Sequence, residues 1–376
     1  MAAEPILWED HEARVEQRSK LTDEPTEMVS YSRFVAGDSP ELVVTDTTRV
    51  ADDDDGTPTY RIDYSIAGTK VGVRRFAAPP EGIQLARDRE LMTEDRLPEA
   101  ATGYLPNHLD LTVRPQPLDP RFHRERRIEH ETRAGDKYAT ALFPPEDRYL
   151  FSDTAFPWST CGKVLPSGAS GVLVGPRHLL TVSHGIDWHT PTEREPWVAQ
   201  WLSFTPSYFD RDDPFGTAGS THIYWQNQVS GPTIDANEEQ FDYVVVVLDR
   251  RIGDITGWMG SRSYTDDWDG GTYWSHVGYP TDLVSGERPA FIGNVSLDGT
   301  DDDDAHQAMH HRGDVWPGQS GGPYFGWWEG EPWPRVVSVQ SWEQYEDAAK
   351  TIPNVNGASG GSSMVDLIIR ARSDFP

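Results

Sequence analysis

The chain has 376 residues, with 33 Lys or Arg against 61 Asp or Glu, a formal charge of −28. A polyanion of this kind repels nucleic acid and anionic lipid, so neither is expected as a partner. Hydrophobic residues at 36%, with 14 Trp and 14 Tyr, suffice for a packed core and argue against disorder.

No run reaches the roughly 18–20 apolar residues of a membrane-spanning helix. The start, Met1 to Asp10, has neither a basic n-region nor an apolar h-region, so no export signal is expected and an intracellular site is the default. Only five of the basic residues are Lys, which fits either a salt-tolerant surface or a GC-rich genome. The single Cys161 excludes an intrachain disulfide and a Cys-rich zinc site, and is expected to be buried as a small apolar residue.

In chain order, residues 1–133 (18 basic, 27 acidic) have broken apolar patterning. The acidic run Asp52–Asp55 precedes a hairpin expected to pair Thr59–Ala67 with Lys70–Phe76 across Gly68. The charged stretch Arg121–Arg133 is either a linker or processing site, or a solvated helix within one continuous domain. Residues 134–376 (15 basic, 34 acidic) differ: short β-rich runs recur between Gly, Pro and Asp. Strands are expected at Ser170–Val174, Leu179–Val182, Val198–Phe204, Tyr243–Leu248, Tyr273–Val277, Phe291–Leu297, Pro323–Trp327 and Val336–Trp342. Many short strands with turn signals predict a sandwich or barrels. Helical spacing over Met364–Arg372 places Val365, Ile368 and Ile369 on one face of a C-terminal helix.

The sharpest chemical signal is Gly318–Gln319–Ser320–Gly321–Gly322–Pro323. A serine between glycines can occupy a tight turn approached closely by a ligand. There the N–H groups of Gly318 and Ser320 can form an oxyanion hole, donors fixed where charge develops on a carbonyl oxygen; a glycine-rich turn with a passive serine is the other reading. A hydroxyl nucleophile needs a base. His184 is the candidate, delivered at a strand end between Ser183 and Gly185. The base needs a buried carboxylate to fix its tautomer. Asp242, at the mouth of the apolar run Tyr243–Leu248, is costly to bury unless paired. It can instead be a strand-edge charge, and Asp235, Asp249 and Asp254 lie in more polar, turn-like surroundings.

Thr181–Val–Ser–His184, Phe241–Asp242–Tyr–Val–Val–Val–Val–Leu248 and Gly318–Gln–Ser320–Gly–Gly–Pro323, in this order, resemble the chymotrypsin/trypsin-like serine peptidases over about residues 140–376. Three further features are similar to the disulfide-poor microbial branch of glutamyl-endopeptidase-like (V8-like) enzymes. They are His276–Val–Gly–Tyr–Pro280, the run from Asp314 to Ser320, and Pro145–Asp147–Arg148 with Asp153–Thr154. The resemblance implies an all-β fold of two antiparallel β-barrels with the triad His184, Asp242 and Ser320 between them. It also implies a protein or peptide substrate, no cofactor, an exported location and a pro-region or accessory segment at residues 1–133 ahead of a peptidase domain at 134–376. Cleavage near Arg127 or Arg133, release of a latent full-length chain, and a monomeric enzyme follow as expectations.

Gln319 stands where trypsin has an aspartate that pairs with a freed amino terminus, so that activation route is not expected. Asp314, Ser341 and Trp342 are the candidate substrate-binding residues. Asp314 would favour a basic P1 residue, although the V8-like branch carries Asp there without that preference. Ser341 before Trp342 lacks the histidine of glutamyl specificity, and P1 is left open. A non-catalytic binding protein on the same fold is the alternative.

Other signals are weaker. His306 and His310 lack the Glu of a zinc-helix motif, and a strand is favoured there. Asp266–Gly270 lacks the distal Glu of a calcium loop. The Asp301–Asp304 run reads as an exposed loop tip, and Asn294–Val295–Ser296 matters only on a eukaryotic secretory route.

Overall fold

The computed structural model describes residues 3–10, 42–52, 58–66, 69–76, 82–85, 100–118, 142–143, 146–230, 234, 237–299, 305–345 and 353–376. The Arg121–Arg133 stretch with Arg127, the Asp301–Asp304 run, Pro145, Asp235, Gly68 and Asp53–Asp55 lie outside the described residues.

Three strands, β1 (Leu42–Asp52), β2 (Pro58–Ile66) and β3 (Thr69–Phe76), form an antiparallel sheet of their own. The β2–β3 pair is the hairpin expected from the sequence, with Tyr60 opposite Phe76 and Ile66 opposite Thr69. Its partner β1 was not anticipated. Three short strands follow, β4 (Gln84–Leu85), β5 (Ala100–Ala101) and β6 (Tyr149–Leu150).

The first lobe is built from β7 (Cys161–Leu165), β8 (Ser170–Gly175), β9 (His178–Thr181), β10 (Ser203–Pro206), β11 (Ala218–Trp225) and β12 (Val244–Leu248). These pair in the order β10-β7-β8-β9-β12-β11, and a β10–β11 pairing closes the barrel. Strand β12 shows why its sequence lacks alternation. Val244, Val246 and Leu248 face the barrel interior with Leu173, Leu179, Phe204 and Ile223. Val245 and Val247 face outward, into the core shared with the second lobe and the C-terminal helix. A strand buried on both faces reads as one apolar run. Each such valine contributes about 1.5–3 kcal/mol by leaving water.

The second lobe contains β13 (Gly260–Arg262), β14 (Trp274–Gly278), β15 (Ala290–Val295), β16 (Asp298–Gly299), β17 (Gln307–His311), β18 (Pro323–Gly326), β19 (Arg335–Tyr345) and β20 (Pro353–Gly360). They form a curled sheet in the order β16-β17-β20-β19-β18-β14-β15-β6. Among the described residues its ends do not pair, so only the first lobe is a fully closed barrel. Its interior is aromatic, with Tyr264, Trp268, Trp274, Tyr324 and Trp328 packed together.

The C-terminal helix spans Ser362–Asp374, slightly longer than predicted, and buries Met364, Val365, Leu367, Ile368 and Ala371 against the outer face of the first barrel. Ile369 is only partly buried. No described helix is long and apolar enough to cross a membrane.

Outside the β1–β3 sheet, described residues before position 133 are woven into both lobes. Trp8, Ala101 and Val113 belong to the core between the lobes, and Ile83 belongs to the barrel interior. Strand β4 adds in parallel to β11, and β5 pairs with β13. Ile6 N–H donates to Trp327 O (2.8 Å), and Tyr104 and Trp258 exchange backbone bonds.

Candidate active site

His184 follows β9 by three residues. Ser183 before it is fully buried; its hydroxyl donates to Asn227 O and accepts from Val229 N–H, each at 3.0 Å, which fixes the loop. Asp242 lies between a 3-10 turn (Glu239–Phe241) and β12, with no solvent exposure. Its Oδ1 accepts from the His184 backbone N–H at 2.8 Å, and its Oδ2 lies 2.6 Å from His184 Nδ1. The Ser341 hydroxyl donates to the same Oδ2 at 2.5 Å. Three hydrogen bonds to a buried carboxylate offset the cost of its desolvation. In neutral His184 the Nδ1–H points at Asp242, leaving Nε2 as the acceptor. Burial acts against the imidazolium, but the charge and hydrogen bond of Asp242, with Glu343 nearby, outweigh it and raise the His184 pKa.

Ser320 is half-buried in its glycine turn. Gly318 has φ +103° and Gly321 φ +82°, conformations that L side chains rarely adopt. A Cβ on Gly318 would also meet Tyr279 O at 2.3 Å. His184, Gly318 and Ser320 border one cavity of about 330 Å³, completed by Ser167, Ala169, Gly185, Ile186 and Asp187. Ser320 Oγ and His184 are not hydrogen-bonded. Among the described residues neither the Gly318 nor the Ser320 N–H has an acceptor, whereas the intervening Gln319 N–H donates to Trp316 O.

Ser170 was missed as a site residue. It opens β8 on the first lobe, yet its hydroxyl donates to Gly318 O (2.7 Å) and accepts from Tyr279 N–H (2.9 Å) on the second. Its N–H donates to Ser320 O (2.8 Å). Arg148 was singled out only as part of a motif; its buried guanidinium donates to Gln319 Oε1 at 2.9 Å. Neither role has a local sequence signal, because each partner lies more than 100 residues away.

The three candidate substrate-binding residues do not border the cavity. Asp314 is buried; Oδ1 accepts from Phe143 N–H (2.5 Å) and Oδ2 from Asp147 N–H (3.2 Å). Burial, with help from Glu146 and Asp147 and despite those two bonds, raises the Asp314 pKa. Ser341 is taken up by Asp242. Trp342 packs edge-on against His310 at 5.3 Å and over Gly357, where a Cβ would strike its ring.

His310 lies on extended chain in β17 and His306 in the bend just before it, neither on a helix, with His306 Nε2 3.1 Å from Ser363 Oγ. Among the described residues no group of three or more His, Cys, Asp or Glu could hold a metal ion. Asp266–Trp268 is a 3-10 turn capped by Thr265. Cys161 is buried as expected, its thiol pushed up to about 12 by desolvation.

No family model and no curated protein matches the sequence. Among solved structures the chain is similar to a Glu endopeptidase (20% identity, 62% of this chain and 99% of that one, TM-score 0.48). It is also similar to the protease Anisep from Arthrobacter nicotinovorans (19%, 56% and 92%, 0.39) and to human heparin binding protein (16%, 58% and 93%, 0.40). All three likenesses are at low identity.

Proposed function

We propose that the chain is a serine endopeptidase acting on protein or peptide substrates without a cofactor. The supporting observation is the buried Asp242, bonded to both His184 and Ser341, with the imidazole bordering the same cavity as Ser320. In this reading Ser320 Oγ attacks the scissile carbonyl while His184 Nε2 takes its proton. The Gly318 and Ser320 N–H groups, without an acceptor among the described residues, donate to the oxyanion. His184 returns the proton to the leaving amine, and water resolves the acyl-enzyme by the same route. Asp242 holds the tautomer and stabilises the imidazolium.

The test is labelling by a fluorophosphonate together with burst kinetics on an activated ester. The wild type is expected to label and burst, and Ser320→Ala to do neither. A folded wild-type chain with no burst at neutral pH would favour the binding-protein reading; labelling that persists in Ser320→Ala would remove Ser320 as nucleophile.

A further inference from the structure

The buried cation beside the Ser320 turn is not used by the chemistry above. The Arg148 side chain has no solvent exposure. Its Nε and Nη2 donate to Glu146 (both 2.8 Å), and its Nη1 and Nη2 donate to Asp282 (3.2 and 2.7 Å). Nη1 also donates to Gln319 Oε1 at 2.9 Å. The same Oε1 accepts the Trp316 N–H at 2.9 Å, so one amide oxygen ties the guanidinium to the start of the turn. Gly278 lets Gln319 lie this close: a Cβ there would sit 2.8 Å from the Gln319 Cβ. The preceding segment is tied to the same loop, since Phe143 and Asp147 N–H donate to Asp314.

A buried ion-pair cluster is a poor general stabiliser, because desolvation consumes most of the Coulombic gain; specifying one conformation is its better-attested use. A planar, five-donor guanidinium suits such a fixed set of acceptors, and a lysine does not replace it.

We propose that Arg148 is a positioning residue: held by Glu146 and Asp282, it grips the Gln319 side chain and sets the turn that presents the Gly318 and Ser320 N–H groups, in the uncut chain. This rests on the serine-peptidase reading. The cation comes from within the polypeptide, so no freed amino terminus is needed to order the turn.

The experiment compares wild type, Arg148→Lys, Gln319→Leu, Gln319→Glu and the Arg148→Lys/Gln319→Leu double variant. It reads fluorophosphonate labelling rate, kcat and KM on an activated ester, thermal unfolding and intact mass. Losing one oxyanion donor outright costs about 10²–10³ in kcat, so misplacing the pair is expected to cost at least about 10-fold. Arg148→Lys and Gln319→Leu should each lower kcat and labelling rate by that factor with KM nearly unchanged. The double variant should be no worse than the weaker single, because both act through one contact. Gln319→Glu, which can still accept from the guanidinium, should recover much of the rate lost in Gln319→Leu. In wild type the adduct should sit on the uncut chain.

Gln319→Leu leaves Arg148 paired with its two carboxylates, so it reports even where Arg148→Lys fails to fold. Folded single variants with wild-type rates, additive losses, or labelling only of cleaved chain would overturn the proposal while leaving the peptidase reading intact. An unlabelled wild type would overturn both.

Discussion

Ser341 and Asp242, 99 positions apart, share a hydrogen bond at the oxygen that His184 Nδ1 also reaches. Ser341 on β19 therefore braces the Asp242 carboxylate. Ser341→Ala should destabilise the fold by about 1.5–3 kcal/mol, the worth of a hydrogen bond to a buried charge. Urea unfolding measures it, and a slower fluorophosphonate reaction should accompany it.

Asp242→Asn should lower kcat about 10⁴-fold, because an amide can hold the wrong imidazole tautomer. In the proposed mechanism neutral His184 is the working form, so activity should rise with pH through a His184 pKa that lies above 6.5 in the wild type. In the variant burial is opposed only by Glu343, and the acidic limb of the kcat/KM profile should move to lower pH.

Ser170→Ala removes the hydroxyl that joins Gly318 O to Tyr279 N–H across the lobes. Leaving buried backbone groups unpaired costs about 1–3 kcal/mol. The variant should unfold at lower denaturant, and its rate with the activated ester should fall, since the turn holding Ser320 loses its clamp.

Asp314 holds a proton more tightly when folded than unfolded, with its pKa raised from 3.8 to about 7. The folded state then carries the extra proton across that window, so stability falls as pH rises through it and levels off above. Thermal unfolding from about pH 4 to about pH 8 should show this slope in wild type and a flatter one in Asp314→Asn. Since its oxygens serve Phe143 and Asp147 N–H, Asp314→Asn should also leave the P1 profile of a peptide library unchanged.

A protease site engineered between residues 118 and 142 tests the role of the first third. Trp8, Ile83, Ala101 and Val113 are core members, so the two pieces should co-elute after cleavage and separate only in denaturant. Release of the N-terminal piece in native buffer would instead support a removable pro-segment.

Several elements were legible from residue patterns, among them β8, β9 and β12 of the first lobe. The unbroken Val244–Leu248 run, the Gly318–Gly322 turn and the β2–β3 hairpin are local, because apolar period and glycine act within a few residues. Strand β20, Pro353–Gly360, escaped notice for a physical reason: its PNVNGASG sequence has low β-propensity, and pairing with β17 and β19 imposes the extended form.

By itself the sequence determined the apolar strands β8, β9 and β12, the final helix, and the order of the candidate imidazole, carboxylate and hydroxyl along the chain. Tertiary structure alone decided which polar groups meet: Ser341 with Asp242, Ser170 with Gly318, Arg148 with Gln319, and Asp314 with Phe143 N–H. A polar residue reads the same in sequence whether solvated or buried. Its partner is fixed only when barrel closure and strand register bring distant segments to hydrogen-bonding distance.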